Sequence, residues 1–297
     1  MSQSVVNLAV IPVAGLGTRM LPATKAQPKE MLPVGRKPVV QYVVEELARA
    51  NLQRLLFVTG PNKAAIENHF DVNHELIQTL RETGKEELLA ELAYERAPLQ
   101  YFYTRQRQLL GLGHAVWCAQ AFVGAQPFVV ALGDSLIGLR AQSDIVSRLV
   151  QCFTARHAAA VIAFEEVPAS AVKQYGIAQA GEAVSDDVFT LSDIIEKPSI
   201  EEAPSRLAVA ARYVFAPTIF AALARTPIGK GGELQLTDAI RILIQNGEPV
   251  YGLKLRAHEQ RYDIGSFETY FRAFVEFALA DEQYGADLRA YLNSLTA

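Results

Sequence analysis

Three observations in the sequence predict an α/β chain, built on an open, mixed but mostly parallel sheet with helices on both faces. Short apolar runs alternate with helical patterns through the first half, the pattern of parallel strands joined by crossover helices. After Ala159 strands follow one another with few helices between them, so the sheet turns mixed. Two amphipathic C-terminal helices then end the chain. Ligands of such Rossmann-like sheets sit outside the carboxyl ends of the strands.

Leu8–Val13, Leu55–Thr59, Leu99–Tyr103 and Phe128–Leu132 are short and mostly apolar, as strands buried on both faces are. Helical patterns occupy Val39–Arg49, Lys63–Phe70, Asn73–Thr83, Lys85–Ala93 and His114–Phe122. The first opens after Pro38, whose missing N–H has no helical partner to lose there. In the fourth, Leu88, Leu89 and Leu92 form an apolar stripe against Glu86, Glu87 and Glu91. Val161–Glu165, Ile177–Ala180, Phe189–Ile195, Leu207–Phe215 and Val250–Leu255 read as strands, with helices over Pro217–Arg225 and Thr237–Gln245. Phe267–Leu279 and Glu282–Leu295 are the closing helices, rich in Phe, Tyr and Leu, and are expected to pack on the body or to form an oligomer contact.

Composition narrows the function. Half of the 297 residues are apolar and a fifth are charged, which excludes a disordered, collagenous or coiled-coil chain. Lys plus Arg is 28 against 32 Asp plus Glu, a net charge of −4 that argues against a nucleic-acid groove or a polybasic membrane patch. Cys118 and Cys152 are too few for a disulfide framework or a cysteine-rich zinc site, and the expected compartment is a reducing cytosol. The opening residues MSQSVVNLAVIPVAG lack a basic leader, and the nearly uncharged stretch Gly111–Gly133 is broken by Gln120, Gly124, Gln126 and Pro127, so neither a signal peptide nor a membrane span is expected.

The most informative segment runs from Ala14 to Pro33, AGLGTRMLPATKAQPKEMLP, beginning where the first strand ends. Its glycines Gly15 and Gly17 permit a tight turn whose successive N–H groups form an anion-binding concavity. A dinucleotide fingerprint needs a third glycine where Met20 stands and a helix where Pro22 opposes one; no G-x-x-x-x-G-K-[ST] run occurs either. Arg19, Lys25 and Lys29 instead make this loop a cationic cradle for a triphosphate, without a P-loop.

This segment resembles the signature of bacterial UTP–glucose-1-phosphate uridylyltransferases (UDP-glucose pyrophosphorylases), within the sugar-1-phosphate nucleotidyltransferase family. Thr104–Ala115, Glu196-Lys197-Pro198, Gly231–Asp238 and Tyr262-Asp263-Ile264-Gly265 follow in the family's order, so the likeness spans nearly the whole chain. It implies transfer of a uridylyl group from UTP to glucose 1-phosphate in the cytoplasm, by Mg²⁺-assisted in-line attack. Residues 1–266 become the catalytic domain, with the nucleotide part about 1–150 and the sugar-phosphate part about 151–266, and 267–297 the helical segment. The resemblance further implies a homo-oligomer, a dimer or tetramer, without nucleic-acid or membrane partners.

Carried over residue by residue, Ala14, Gly15, Gly17, Thr18, Arg19, Gln106 and Gly111 bind the nucleotide. Gln106 has one amide donor face and one acceptor, matching the N3–H and a carbonyl of uracil. Lys29, Gly176, Glu196 and Lys197 bind the sugar phosphate, and Arg19, Lys29 and Asp134 carry catalysis. Asp134 and Asp263, each following an apolar strand pattern, hold Mg²⁺, which needs only one or two carboxylates besides substrate phosphates. The five histidines lack metal-ligand spacing and read as structural. Four departures from the family pattern keep other readings open. Gly133-Asp134-Ser135 is nearer to the thymidylyltransferases; Ala211 replaces a usual glycine, Arg206 a usual asparagine, and Ile264 and Phe267 the usual cysteine and lysine. Another base, another sugar, or a non-catalytic regulatory paralogue are the alternatives.

Overall fold

The computed structural model describes residues 6–296; the first five residues, which belong to the N-terminal reading above, and Ala297 lie outside the described residues. The first half contains β1 (Leu8–Pro12), β2 (Pro33–Val34), β3 (Lys37–Pro38), α1 (Val39–Arg49), β4 (Arg54–Thr59), α2 (Ala64–Phe70), α3 (His74–Glu82), β5 (Gln100–Arg105), α4 (Leu112–Trp117), α5 (Gln120–Val123) and β6 (Phe128–Ala131). There follow β7 (Ser135–Ile137), α6 (Ile145–Ala155), β8 (Ala160–Glu166), β9 (Gly176–Ala183), β10 (Val188–Glu196), β11 (Leu207–Phe215) and α7 (Thr218–Arg225). The chain ends with α8 (Leu236–Gln245), β12 (Val250–Lys254), β13 (Arg261–Asp263), α9 (Phe267–Leu279) and α10 (Gly285–Thr296).

Nine strands form one sheet in the order β5-β4-β1-β6-β11-β8-β12-β10-β9. Strands β5, β4, β1 and β6 are parallel, so their carboxyl ends share one rim. β8 and β12 are also parallel. β11 is antiparallel to β6 and β8, and β10 to β12 and β9. The expected predominance of parallel pairing is thus corrected to equal shares along this order. Beyond residue 159 direct antiparallel returns replace the helical crossovers that parallel pairs need.

Alternate residues of β1 feed the two faces. Ala9 and Ile11 join the apolar layer with Val40, Val43 and Leu47 of α1 and Leu149 of α6. Leu8 and Val10 join the opposite layer, with Val116 of α4, Phe220 and Leu223 of α7, and Ile240 of α8. Helices therefore cover both faces, as expected, and α9 packs on the body: Phe277 meets the rings of Tyr42 and Tyr262 edge-on at 5.3 and 5.2 Å.

Local expectations need three corrections. β5 is a half-exposed edge strand, not one buried on both faces. Glu86–Arg96 is 3₁₀ turns with no fully buried residue, and Leu88 is 44 % exposed. The pattern over His114–Phe122 breaks into α4 and α5. Helix α6 buries Ile145, Val146, Leu149 and Cys152 at helical spacing. Among the described residues no helix is long and apolar enough to cross a membrane.

Candidate active site

Two cavities open at the carboxyl rim of the parallel strands. The first, about 380 Å³, is lined by Ala14, Gly15, Gly17, Thr18, Lys29, Glu30, Gln106, Gly111, Asp134 and Glu233 among others. The second, about 740 Å³, takes in Arg19, Asp134, Gly176, Glu196, Lys197, Ala211, Thr237, Arg261 and Asp263. Asp134, Leu112, Leu132 and Glu233 line both, so the cavities meet at a carboxylate. Every site residue expected from sequence therefore borders one of two adjoining spaces. Arg19 is parted from its turn neighbours and faces the second, whereas Lys25 lies beside a separate small cavity with Asn62 and Lys63.

Local backbone explains the first cavity. After β1 the chain turns at Gly17 into a single 3₁₀ turn, Thr18–Met20, and Thr24 Oγ1 pins the turn by donating to the Gly17 carbonyl at 2.8 Å. Gly111 sits at φ +92°, where a Cβ would lie 2.6 Å from Glu233 Cβ, so only glycine fits there. Gln106 follows β5 and is buried, but its amide is partly committed: Nε2 donates to the Gly111 carbonyl at 3.0 Å and lies 3.1 Å from His114 Nδ1. What it offers the cavity is its carbonyl oxygen, an acceptor.

Two acidic residues stand together through a pairing that sequence did not reveal. β7 and β13 are antiparallel, with Ser135 opposite Asp263, and Ile264 N–H donates to the Asp134 carbonyl at 2.9 Å. The Asp134 carboxylate accepts from Lys29 Nζ. Burial alone would raise Asp134, but the Lys29 ammonium outweighs it and holds the carboxyl below its usual range. Asp263 moves the other way, raised by burial and then by the negative charge of Asp134. Two carboxylates crowded in a low-dielectric pocket, sharing one ammonium, make a donor set that a hard divalent cation would relieve. Among the described residues no cluster of three or more His, Cys, Asp or Glu side chains gathers for a metal, so any ion here relies on these two.

In the second cavity Glu196 accepts from Thr237 Oγ1 at 2.7 Å and pairs with Lys197 Nζ at 3.3 Å. Lys197 N–H donates to the Tyr175 carbonyl at 2.9 Å, tying the end of β10 to the turn that carries Gly176. Arg261, buried and paired with Glu165, stacks its guanidinium 4.5 Å from the centre of the Tyr175 ring. Sequence reasoning passed over Arg261, Thr237 and Glu233, although Arg261 directly precedes Tyr262 and the other two lie inside the Gly231–Asp238 run. It also missed a buried ion pair beneath the glycine turn, Lys63 Nζ to Glu30 Oε2 at 2.8 Å.

Of the four departures, Asp134 lines both cavities and Ala211, at φ +60°, lines the second. Arg206 is exposed and pairs with Glu166, Ile264 is fully buried, and Phe267 packs against the core, so none of these three lines either cavity.

Comparisons with known proteins identify the family. Residues 8–279 match the family described as Nucleotidyl transferase. The chain is 40% identical to UTP–glucose-1-phosphate uridylyltransferase 1 of Staphylococcus saprophyticus over 290 residues, covering 98% of this chain and 99% of that one. It is 42% identical to UTP–glucose-1-phosphate uridylyltransferase YngB of Bacillus subtilis, again over 290 residues, 98% of this chain and 95% of the relative. A solved structure of a UTP-bound UGPase from Acinetobacter baumannii superposes with a TM-score of 0.88 at 39% identity, covering 98% and 99% of the two chains.

Proposed function

The chain belongs to the nucleotidyl transferase family, and from that premise we propose that it transfers the uridylyl group of UTP to glucose 1-phosphate, giving UDP-glucose and pyrophosphate. The observation that carries this reading is the junction at Asp134: a glycine-turn cavity suited to a nucleotide opens directly into a cavity edged by Glu196 and Lys197. A phosphate oxygen of glucose 1-phosphate attacks the α-phosphorus of UTP, the bond from that phosphorus to the β-phosphate bridging oxygen breaks, and pyrophosphate leaves. The nucleophile is already anionic near neutral pH, so alignment of two repelling polyanions is the main task and no strong general base is needed.

In this reading the N–H groups of Ala14–Gly17 and Thr18 border the nucleotide, Gly111 lies against the base, and the Gln106 carbonyl accepts from the uracil N3–H. Lys29 from the first cavity and Lys197 from the second hold the sugar phosphate against the α-phosphate, Arg19 neutralises developing charge, and Glu196 with the Gly176 backbone receives sugar hydroxyls. Asp134 and Asp263 are the residues that would hold Mg²⁺. When bound, the ion supplies neutralisation of phosphate charge. The division of labour follows the chain: about 1–150 for the nucleotide, 151–266 for the sugar phosphate, and 267–297 as a helical segment whose exposed Phe271, Phe274 and Val275 support a homo-oligomer contact. Two cysteines without a disulfide support a cytoplasmic setting.

Pyrophosphate release, measured with Mg²⁺ across UTP, dTTP, CTP and ATP and several sugar 1-phosphates, tests the reading. It stands if UTP with glucose 1-phosphate has the highest kcat/KM. It fails if pyrophosphate never appears, or if dTTP or another sugar phosphate is preferred.

A further inference from the structure

The largest side chain without solvent contact is Arg212, on β11, and its hydrogen bonds lead to the loop that presents Asp134. Nη2 donates to the Ser135 carbonyl at 2.8 Å and Nη1 reaches the Leu132 carbonyl at 3.5 Å, one on each side of Asp134. Glu46 of α1, itself buried, accepts from Nη2 at 2.6 Å and from Nε at 3.3 Å. We propose that Arg212, anchored on Glu46, is a positioning residue that sets the direction of the Asp134 carboxylate; this rests on the reading above, in which Asp134 serves the phosphates and their metal ion.

Three features favour this over a purely structural ion pair. Within and beneath the 132–135 loop the bonds are long, Ser135 N–H to the Leu132 carbonyl and Gly133 N–H to the Pro12 carbonyl both at 3.4 Å, while Ile264 N–H holds the Asp134 carbonyl at 2.9 Å from the other side. A charge-assisted bond at 2.8 Å is stronger than either. Second, the planar guanidinium spans both carbonyls at once, which a lysine ammonium does not match. Third, the backbone is distorted to deliver it. β11 shifts register between Val209 and Tyr213, and Ala211 takes φ +60°, left-handed for a residue that carries a Cβ. Such bulges re-aim side chains, and strain of this kind persists where the surroundings over-determine it. A buried pair kept only for stability would gain nothing from it, since well-packed apolar replacements of such pairs are often neutral or stabilising.

The experiment exploits that last point. The double variant Arg212→Met/Glu46→Leu removes both charges and leaves neither orphaned, while Arg212→Lys keeps the charge and loses the fork. Each is read by thermal melting, by kcat and KM for both substrates, and by Mn²⁺ titration followed by electron spin resonance, which needs no turnover. The double variant is expected to melt near wild type with nearly unchanged KM values. Its kcat and its Mn²⁺ affinity are expected to fall roughly 10- to 100-fold, the usual loss when a group orienting a metal-binding residue is removed. A folded double variant with wild-type kcat and Mn²⁺ affinity overturns the proposal. If the double variant does not fold, Arg212→Lys decides by the same two readouts. A wild-type protein that releases no pyrophosphate fails the preceding reading instead, and the Mn²⁺ titration of the variants still judges this one.

Discussion

Replacing Lys63 by methionine isolates the ion pair under the glycine turn. Lys63 Nζ lies 2.8 Å from Glu30 Oε2, and the two side chains are only 5% and 2% exposed. Burial already raises the Glu30 carboxyl, opposed chiefly by Lys63 and then Lys29. Without the ammonium, a buried carboxylate is left uncompensated, and breaking a buried pair from one side costs about 3–5 kcal/mol. For a chain of this length that is a fall in Tm of about 5–8 °C. The sign of the pH dependence follows from the direction of the shift. A carboxyl whose folded pKa lies above its unfolded value takes up a proton on folding, so its burden is heaviest above the folded pKa and is lifted as the solution is acidified through it. The deficit of Lys63→Met is therefore largest at neutral pH and shrinks at acid pH, and Lys63→Met/Glu30→Gln recovers most of it. Urea melts of the three proteins at both pH values measure this. A single-variant deficit under about 1 kcal/mol, or one that does not change with pH, refutes the argument.

Two further substitutions probe the cavity walls. Gly111→Ala puts a methyl 2.6 Å from Glu233 Cβ at a φ of +92°, so it is expected to lose about 1–3 kcal/mol of stability and to weaken UTP binding, read by melting and by nucleotide titration. Ala211→Gly should hold or raise Tm, because it relieves a left-handed alanine worth about 1 kcal/mol. It also widens the second cavity, so the ratio of kcat/KM for glucose 1-phosphate over N-acetylglucosamine 1-phosphate should drop; an unchanged ratio assigns the methyl no part in sugar choice.

What sequence made legible was whatever leaves a periodic or ordered trace. Strand–helix alternation places β1, β4 and β6, and the motifs place Ala14–Thr18, Gln106, Asp134 and Glu196 near strand ends. Pairings between distant segments left no such trace. The family resemblance named Asp134 and Asp263 together, but the β7–β13 ladder that makes them neighbours could not be read from either segment. Buried charges were equally opaque: nothing in the sequence marks Glu46 or Lys63 as interior, yet each is buried. Arg206 was the reverse case, a suspect for the sugar site that points outward to Glu166. β5 shows that an apolar run reports hydrophobicity but not whether both faces are covered.

Strand β11 has a consequence for anyone who would divide this molecule. It pairs with β6 through Phe128–Ala131 on one side and with β8 on the other, so one hydrogen-bonded ladder runs from the first half of the polypeptide into the second. A fragment ending near residue 155 would expose FVVA as a bare, apolar edge, an invitation to aggregate. Recombining halves from two relatives is therefore expected to succeed only when β6 and β11 are inherited from the same parent.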